Sequence, residues 1–154
     1  MYGGYIRGRL HRNLAPEQLA EQDVLIQLIK VGWGKEHPAF RQVFSTLFLP
    51  EGTPEQLQAF NELQRITSSP EIAASIVSGF QRINVIDQAR RITQPTLVLH
   101  ARGDLRIPFE EGRLMAATIP NARLVTLESK NHILLEDEPA WKQFTEEVNA
   151  FLND

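Results

Sequence analysis

The stretches PTLVLHARGDLRIP (Pro95–Pro108) and ARLVTLESKNHILLEDEPAW (Ala122–Trp141) mark a change of pattern in the last third of the chain. Thr96–His100 is a continuous apolar and β-branched run, the composition of a parallel strand covered on both faces. Phe109–Ile119 has helical period and Arg123–Leu127 reads as a second strand. Trp141, Phe144, Val148, Phe151 and Leu152 form the apolar stripe of a terminal helix. Strand, helix, strand, helix is a βαβα unit with a right-handed crossover, so its two strands run parallel. Asp104 follows the first strand and His132 the second. Both therefore sit beyond the same end of adjacent strands, and strands lie only about 4.8 Å apart, so the two side chains are expected within hydrogen-bonding reach or one loop adjustment of it.

Working back from Pro95, a short connector (Asn84–Gln94) precedes a region with helical rather than strand period. Pro16, Pro38, Pro54, Pro70 and Pro139 fall where helices should begin, because a first-turn proline lacks an N–H that would have no intrahelical partner. Thr53 and Ser69 stand directly before two of them as N-caps. Phe40, Val43, Phe44, Leu47 and Phe48 make one apolar stripe, Ile72, Ala73, Ile76, Val77 and Phe80 another, and Leu57, Phe60 and Leu63 a narrower one. With Leu19, Leu25, Ile26, Leu28 and Ile29, these predict four helices over residues 16–82.

Of 154 residues, 42% are hydrophobic and 23% charged, the proportions of a globular protein long enough to bury a core. A formal charge of -3 gives no basic footprint, so nucleic acid is not an expected partner. The absence of cysteine excludes disulfides and thiolate metal sites and fits a reducing, cytoplasmic setting. No apolar run approaches the roughly 20 residues of a membrane span, and MYGGYIRGR has no apolar signal core.

The motifs of the last third resemble the end of an α/β-hydrolase. In that family the penultimate strand ends in an aspartate followed four residues later by a proline, as Asp104 and Pro108 stand here. The last strand leads to a loop with the catalytic histidine, then often an acidic residue and a proline opening the final helix, matching His132, Glu136 and Pro139. Many members have glycine where this chain has Ala101 and Asn131. YGGYIRGR (Tyr2–Arg9) resembles the tail of the sixth strand, after which many members insert a helical lid. The resemblance thus implies an α/β, partial hydrolase fold: residues 1–94 as strand remnant plus lid, and 95–154 as the C-terminal βαβα part of the core. It implies a catalytic pair in which His132 acts as base and then acid while Asp104 orients it.

The family order is nucleophile, acid, histidine, with the nucleophile in a Gly-x-Ser-x-Gly turn. Ser45, Ser68, Ser69, Ser75 and Ser78 precede Asp104, and none has glycines two before and two after. The chain alone is therefore expected to be inactive, as the lid and C-terminal half of a domain whose other half carries the nucleophile. The complete domain would hydrolyse an ester, amide or related bond in a small molecule without a cofactor. GWGKEHPAFRQVF (Gly32–Phe44), FNELQRITSSPE (Phe60–Glu71) and NHILLEDEPAW (Asn131–Trp141) also resemble hydrolase-like domains of bacterial transcriptional regulators or cyclases. The alternative that this implies is a non-catalytic ligand-sensing or dimerisation module.

Three further readings compete with blander ones. Trp33 and Phe44 could line an apolar substrate pocket, although stripes at this spacing are more often core. His100, Asp104 and His132 could be imagined as metal ligands, but the hydrolase arrangement uses none. Arg102-Gly103-Asp104 spells an adhesion tripeptide, which the strand-end aspartate explains better. A two-stranded sheet beside a four-residue remnant exposes a strand edge, and that predicts a homodimer or another form of self-association.

Overall fold

A computed structural model describes residues 1–153, the side chain of Gln22 excepted. Helices α1 (Pro16–Gly32), α2 (Ala39–Phe48), α3 (Pro54–Thr67) and α4 (Pro70–Gln81) occupy the first half. The short α5 (Ile86–Ala89) lies in the connector, and then follow β1 (Thr96–Ala101), α6 (Phe109–Thr118), β2 (Ala122–Leu127) and α7 (Pro139–Asn153). Four helices begin at the prolines the sequence singles out; α2 begins one residue after Pro38. Thr53 and Gln56 cap α3 reciprocally, and Ser69 Oγ accepts from the Ile72 N–H at the start of α4. No helix among the described residues is long and apolar enough to cross a membrane.

The chain forms two compact units, and they interleave in sequence. One contains Met1–Ile6, Leu47–Glu51 and the residues from Val85 on; the other contains Arg7–Thr46 and Gly52–Asn84. The linear division at residue 94 differs from this, because the chain's first residues and the end of α2 hydrogen-bond within the sheet unit.

In the sheet unit β1 and β2 pair in parallel, from Thr96 opposite Ala122 to Ala101 opposite Leu127. Successive side chains of β1 alternate faces and both faces are covered, which is why the strand is apolar from Leu97 to Leu99 and buried from Leu97 to Ala101. Val98 packs with Ile6, Ala89, Met115 and Ile119 on the α6 side. Leu97 and Leu99 pack with Val125, Leu127 and Ala140 on the α7 side. The other edge of β1 is also occupied. Met1 donates its amino group to the Leu97 carbonyl (2.6 Å), the Leu99 N–H donates to the Met1 carbonyl (2.8 Å), and the Gly3 N–H donates to the Leu99 carbonyl (3.0 Å). The edge expected to be bare at β1 is thus covered by the chain's first three residues.

The helical unit departs from its sequence stripes. Ile29, Phe44, Ala73 and Ala74 make its core, while Val43, Leu63, Ile72 and Ile76 are exposed. Where α3 faces α2 it buries Asn61 and Gln64, because α2 presents polar groups there. Ser45 Oγ donates to Asn61 Oδ1 (2.8 Å), Gln64 Nε2 to Ser45 Oγ (2.7 Å) and Asn61 Nδ2 to Gln42 Oε1 (2.7 Å). A fully paired buried network of this kind is compatible with a stable interior, and it inverts the simple apolar-inward rule.

Candidate active site

Backbone hydrogen bonds tie the loops beyond β1 and β2 together. The Arg102 N–H donates to the Leu127 carbonyl (2.9 Å) and the Gly103 N–H to the Ser129 carbonyl (2.9 Å). The Asp104 side chain then closes its own turn: Oδ1 accepts the backbone N–H groups of Arg106 (2.7 Å) and Ile107 (2.9 Å). This leaves Oδ2 to meet His132 Nδ1 at 2.7 Å. Asp104 is buried, and the His132 side chain is 20% exposed. A carboxylate only accepts, so Nδ1 carries the hydrogen and Nε2 is the ring atom that can take a proton.

Three further segments hold the histidine. The His132 and Ile133 N–H groups both donate to the Phe48 carbonyl (2.8 and 3.2 Å), and the Phe48 ring lies edge-on to the imidazole with centroids 5.2 Å apart. Gly3, at φ 56°, passes beneath it; a Cβ there would lie 3.1 Å from His132 Cε1. That position requires glycine twice over, for backbone conformation and for space. Buried Asn131 receives the Glu51 N–H on Oδ1 (3.1 Å), donates through Nδ2 to Glu138 (3.3 Å), and offers its carbonyl to the Tyr2 hydroxyl (3.0 Å). Burial, reinforced by the Asp104 and Glu138 carboxylates, pushes the Tyr2 pKa upward, so the phenol remains a donor. Lys130 Nζ bonds Glu51 (2.8 Å) and holds that carboxyl below its ordinary range.

The remaining sequence candidates make no bond to His132 among the described residues. Trp33 and Phe44 meet edge to face in the helical unit (5.5 Å), with Trp33 Nε1 donating to Ser68 Oγ (3.2 Å) and Phe44 in the core. His100 turns its Nε2 to the Ile107 carbonyl at 3.0 Å. Arg102 pairs with Glu128 (2.8 Å). The sequence reading missed Gly3, Tyr2 and Phe48 as neighbours of the histidine; only the paired glycines of YGGY signalled a close backbone approach.

Residues 74–154, slightly more than half of the chain, match the family model described as TAP-like protein, an α/β-hydrolase family. The chain belongs to the α/β-hydrolase family. It is 31% identical over 77 residues to a putative carbamate hydrolase, RutD, of Pseudomonas syringae pv. syringae, covering 50% of this chain and 29% of that protein. The counterpart in Pseudomonas savastanoi pv. phaseolicola is 36% identical over 56 residues, covering 36% and 22%. Among solved hydrolases, an esterase from Exiguobacterium antarcticum superposes with a TM-score of 0.72 at 24% identity, over 88% of this chain and 48% of that one. A hydrolase from Pseudomonas aeruginosa gives 0.72 at 21% identity, over 100% and 54%. At these identities the structural matches establish the fold. The chain spans about half the length of those solved hydrolases and less than a third of the curated relatives.

Proposed function

We propose that this chain supplies the acid and base of a hydrolase whose nucleophile lies outside these 154 residues. The observation that carries the reading is the 2.7 Å contact between Asp104 and His132, made by a carboxylate whose other oxygen is already occupied by backbone donors. In this reading His132 Nε2 takes the proton of the nucleophile as it attacks an ester, amide or carbamate carbonyl. The proton then passes to the leaving group, and Asp104 stabilises the imidazolium between the two steps. The two curated relatives make carbamates a substrate class to assay beside short-chain esters.

The test is turnover of a chromogenic short-chain ester by the chain alone and together with the polypeptide encoded immediately upstream. No activity is expected alone, turnover is expected together, and none should survive His132→Ala. Turnover that persisted in His132→Ala would refute the assignment. A folded combination that binds a small ligand without turning it over would favour the non-catalytic sensor instead.

Self-association is the companion proposal. Ile72 and Ile76 on α4, Leu63 and Ile66 on α3, and Val24 and Val31 on α1 are all exposed, apolar surface that a second copy could remove from water. Light scattering at low micromolar concentration should report a mass above 17.5 kDa. A monodisperse monomer would rule it out.

A further inference from the structure

His100 is fully buried on β1, on the strand face turned toward α6. Its Nε2 lies 3.0 Å from the Ile107 carbonyl and 3.7 Å from Asp104 Oδ2, while its Nδ1 has no hydrogen-bond partner. A carbonyl only accepts, so Nε2 carries the hydrogen and Nδ1 is left as a bare acceptor. No water fits beside Nδ1: a Cβ at Gly112 would stand 2.5 Å from it, so the α6 backbone approaches the ring directly. An unpaired buried acceptor is a cost that an aliphatic side chain of similar size would avoid. The hydrogen bond the ring makes in exchange is to the Ile107 carbonyl.

Ile107 is also where the Asp104 turn closes. Its N–H donates to Asp104 Oδ1 (2.9 Å) and its carbonyl receives His100 Nε2–H, so a single peptide segment is held from both sides. The Asp104 carboxylate is thus fixed at Oδ1 by a turn that β1 itself clamps, and the remaining oxygen has one direction left, toward His132 Nδ1. At 3.7 Å the His100 Nε2 is too far for a second hydrogen bond to Oδ2, so its part in placing Asp104 runs through the Ile107 carbonyl.

We infer that His100 is a positioning residue for the acid: its Nε2–H, donated to the Ile107 carbonyl, locks the Asp104–Ile107 turn and so sets the Asp104–His132 hydrogen bond. The inference rests on Asp104 and His132 being the acid–base pair, but its test needs no turnover. Nitrogen-15 spectra of the histidine rings in the wild-type chain should show His100 as the Nε2–H tautomer, and His132 as Nδ1–H with a downfield, slowly exchanging proton. His100→Gln, whose Nε2 can reach the same carbonyl, should keep that His132 proton. His100→Leu should speed its exchange at least about tenfold, the scale of losing one buried hydrogen bond.

An Nδ1–H tautomer for wild-type His100 overturns the inference whether or not any variant folds. So does a folded His100→Leu chain with the His132 proton unchanged, or a His100→Gln chain that loses it as fully as the leucine variant. Absence of turnover in the combined polypeptides would sink the functional reading and leave these spectra unaffected.

Discussion

On the proposed hydrolase reading, Asp104→Asn in the combined polypeptides should lower kcat for an ester about 10⁴-fold and move KM little, the signature of an interaction realised in the transition state. The structure says why the amide cannot compensate. Asp104 Oδ1 accepts two backbone N–H groups, from Arg106 and Ile107, and an asparagine must keep its oxygen there to satisfy them. Its amino group is then forced toward His132 Nδ1, the position Oδ2 now holds at 2.7 Å. A donor facing Nδ1 reverses the imidazole tautomer, so the hydrogen moves to Nε2 and the base can no longer take a proton. The same reversal is readable in the isolated chain, where nitrogen-15 spectra should show His132 change from Nδ1–H to Nε2–H. A kcat loss below about tenfold, or an unchanged tautomer, would mean that Asp104 does not orient the base.

The parts of this protein legible in its sequence are those fixed by local periodicity. β1 reads correctly because a strand buried on both faces is mostly apolar and β-branched rather than alternating, and its helix and partner strand follow within the next 26 residues. Asp104 and His132 are legible because strand ends place them, and short loops leave little freedom. What holds the histidine is barely legible, since Phe48 reaches it through a backbone carbonyl and Gly3 through an absent side chain, both from more than 80 positions away, and the glycines of YGGY do not say which residue they approach. The α3 and α4 stripes mislead for a related reason. The face a helix buries depends on its neighbour, and α2 offers Ser45 and Gln42 where Leu63 would have needed an apolar surface. Small residues, Ala73 and Ala74, pack the core position on α4 instead, leaving Ile72 and Ile76 outside.

Arg41 is the extreme of that inversion, and its removal should have the largest effect on stability. It is 1% exposed, with the Glu62 carboxylate close enough to act on it through its charge. Its Nε donates to the Asn61 carbonyl (3.0 Å), and the two terminal nitrogens donate to the carbonyls of Trp33 (2.7 Å), Lys35 and Glu36 (3.2 Å). Trp33 is the C-cap of α1, where unsatisfied carbonyls and the helix dipole concentrate partial negative charge. The guanidinium therefore caps α1, shapes the turn to α2 and pins α3 with one planar group, a distribution that a lysine's single ammonium cannot match. Arg41→Met strands the buried Asn61 carbonyl and removes the donor from three part-buried carbonyls that water can in part recover, and with a buried unsatisfied group costing on the order of 1–3 kcal/mol a net loss of about 2–4 kcal/mol is expected. Against a total of about 5–15 kcal/mol for a domain, that places the helical unit near unfolding. Urea titration in a Trp141→Phe background, where Trp33 is the remaining tryptophan and belongs to the helical unit, isolates the effect. Arg41→Lys should fall between wild type and methionine. A midpoint shift worth less than about 1 kcal/mol for the methionine variant would show that water satisfies these carbonyls as well as the guanidinium does, and that the buried charge is not what holds α1, α2 and α3 together.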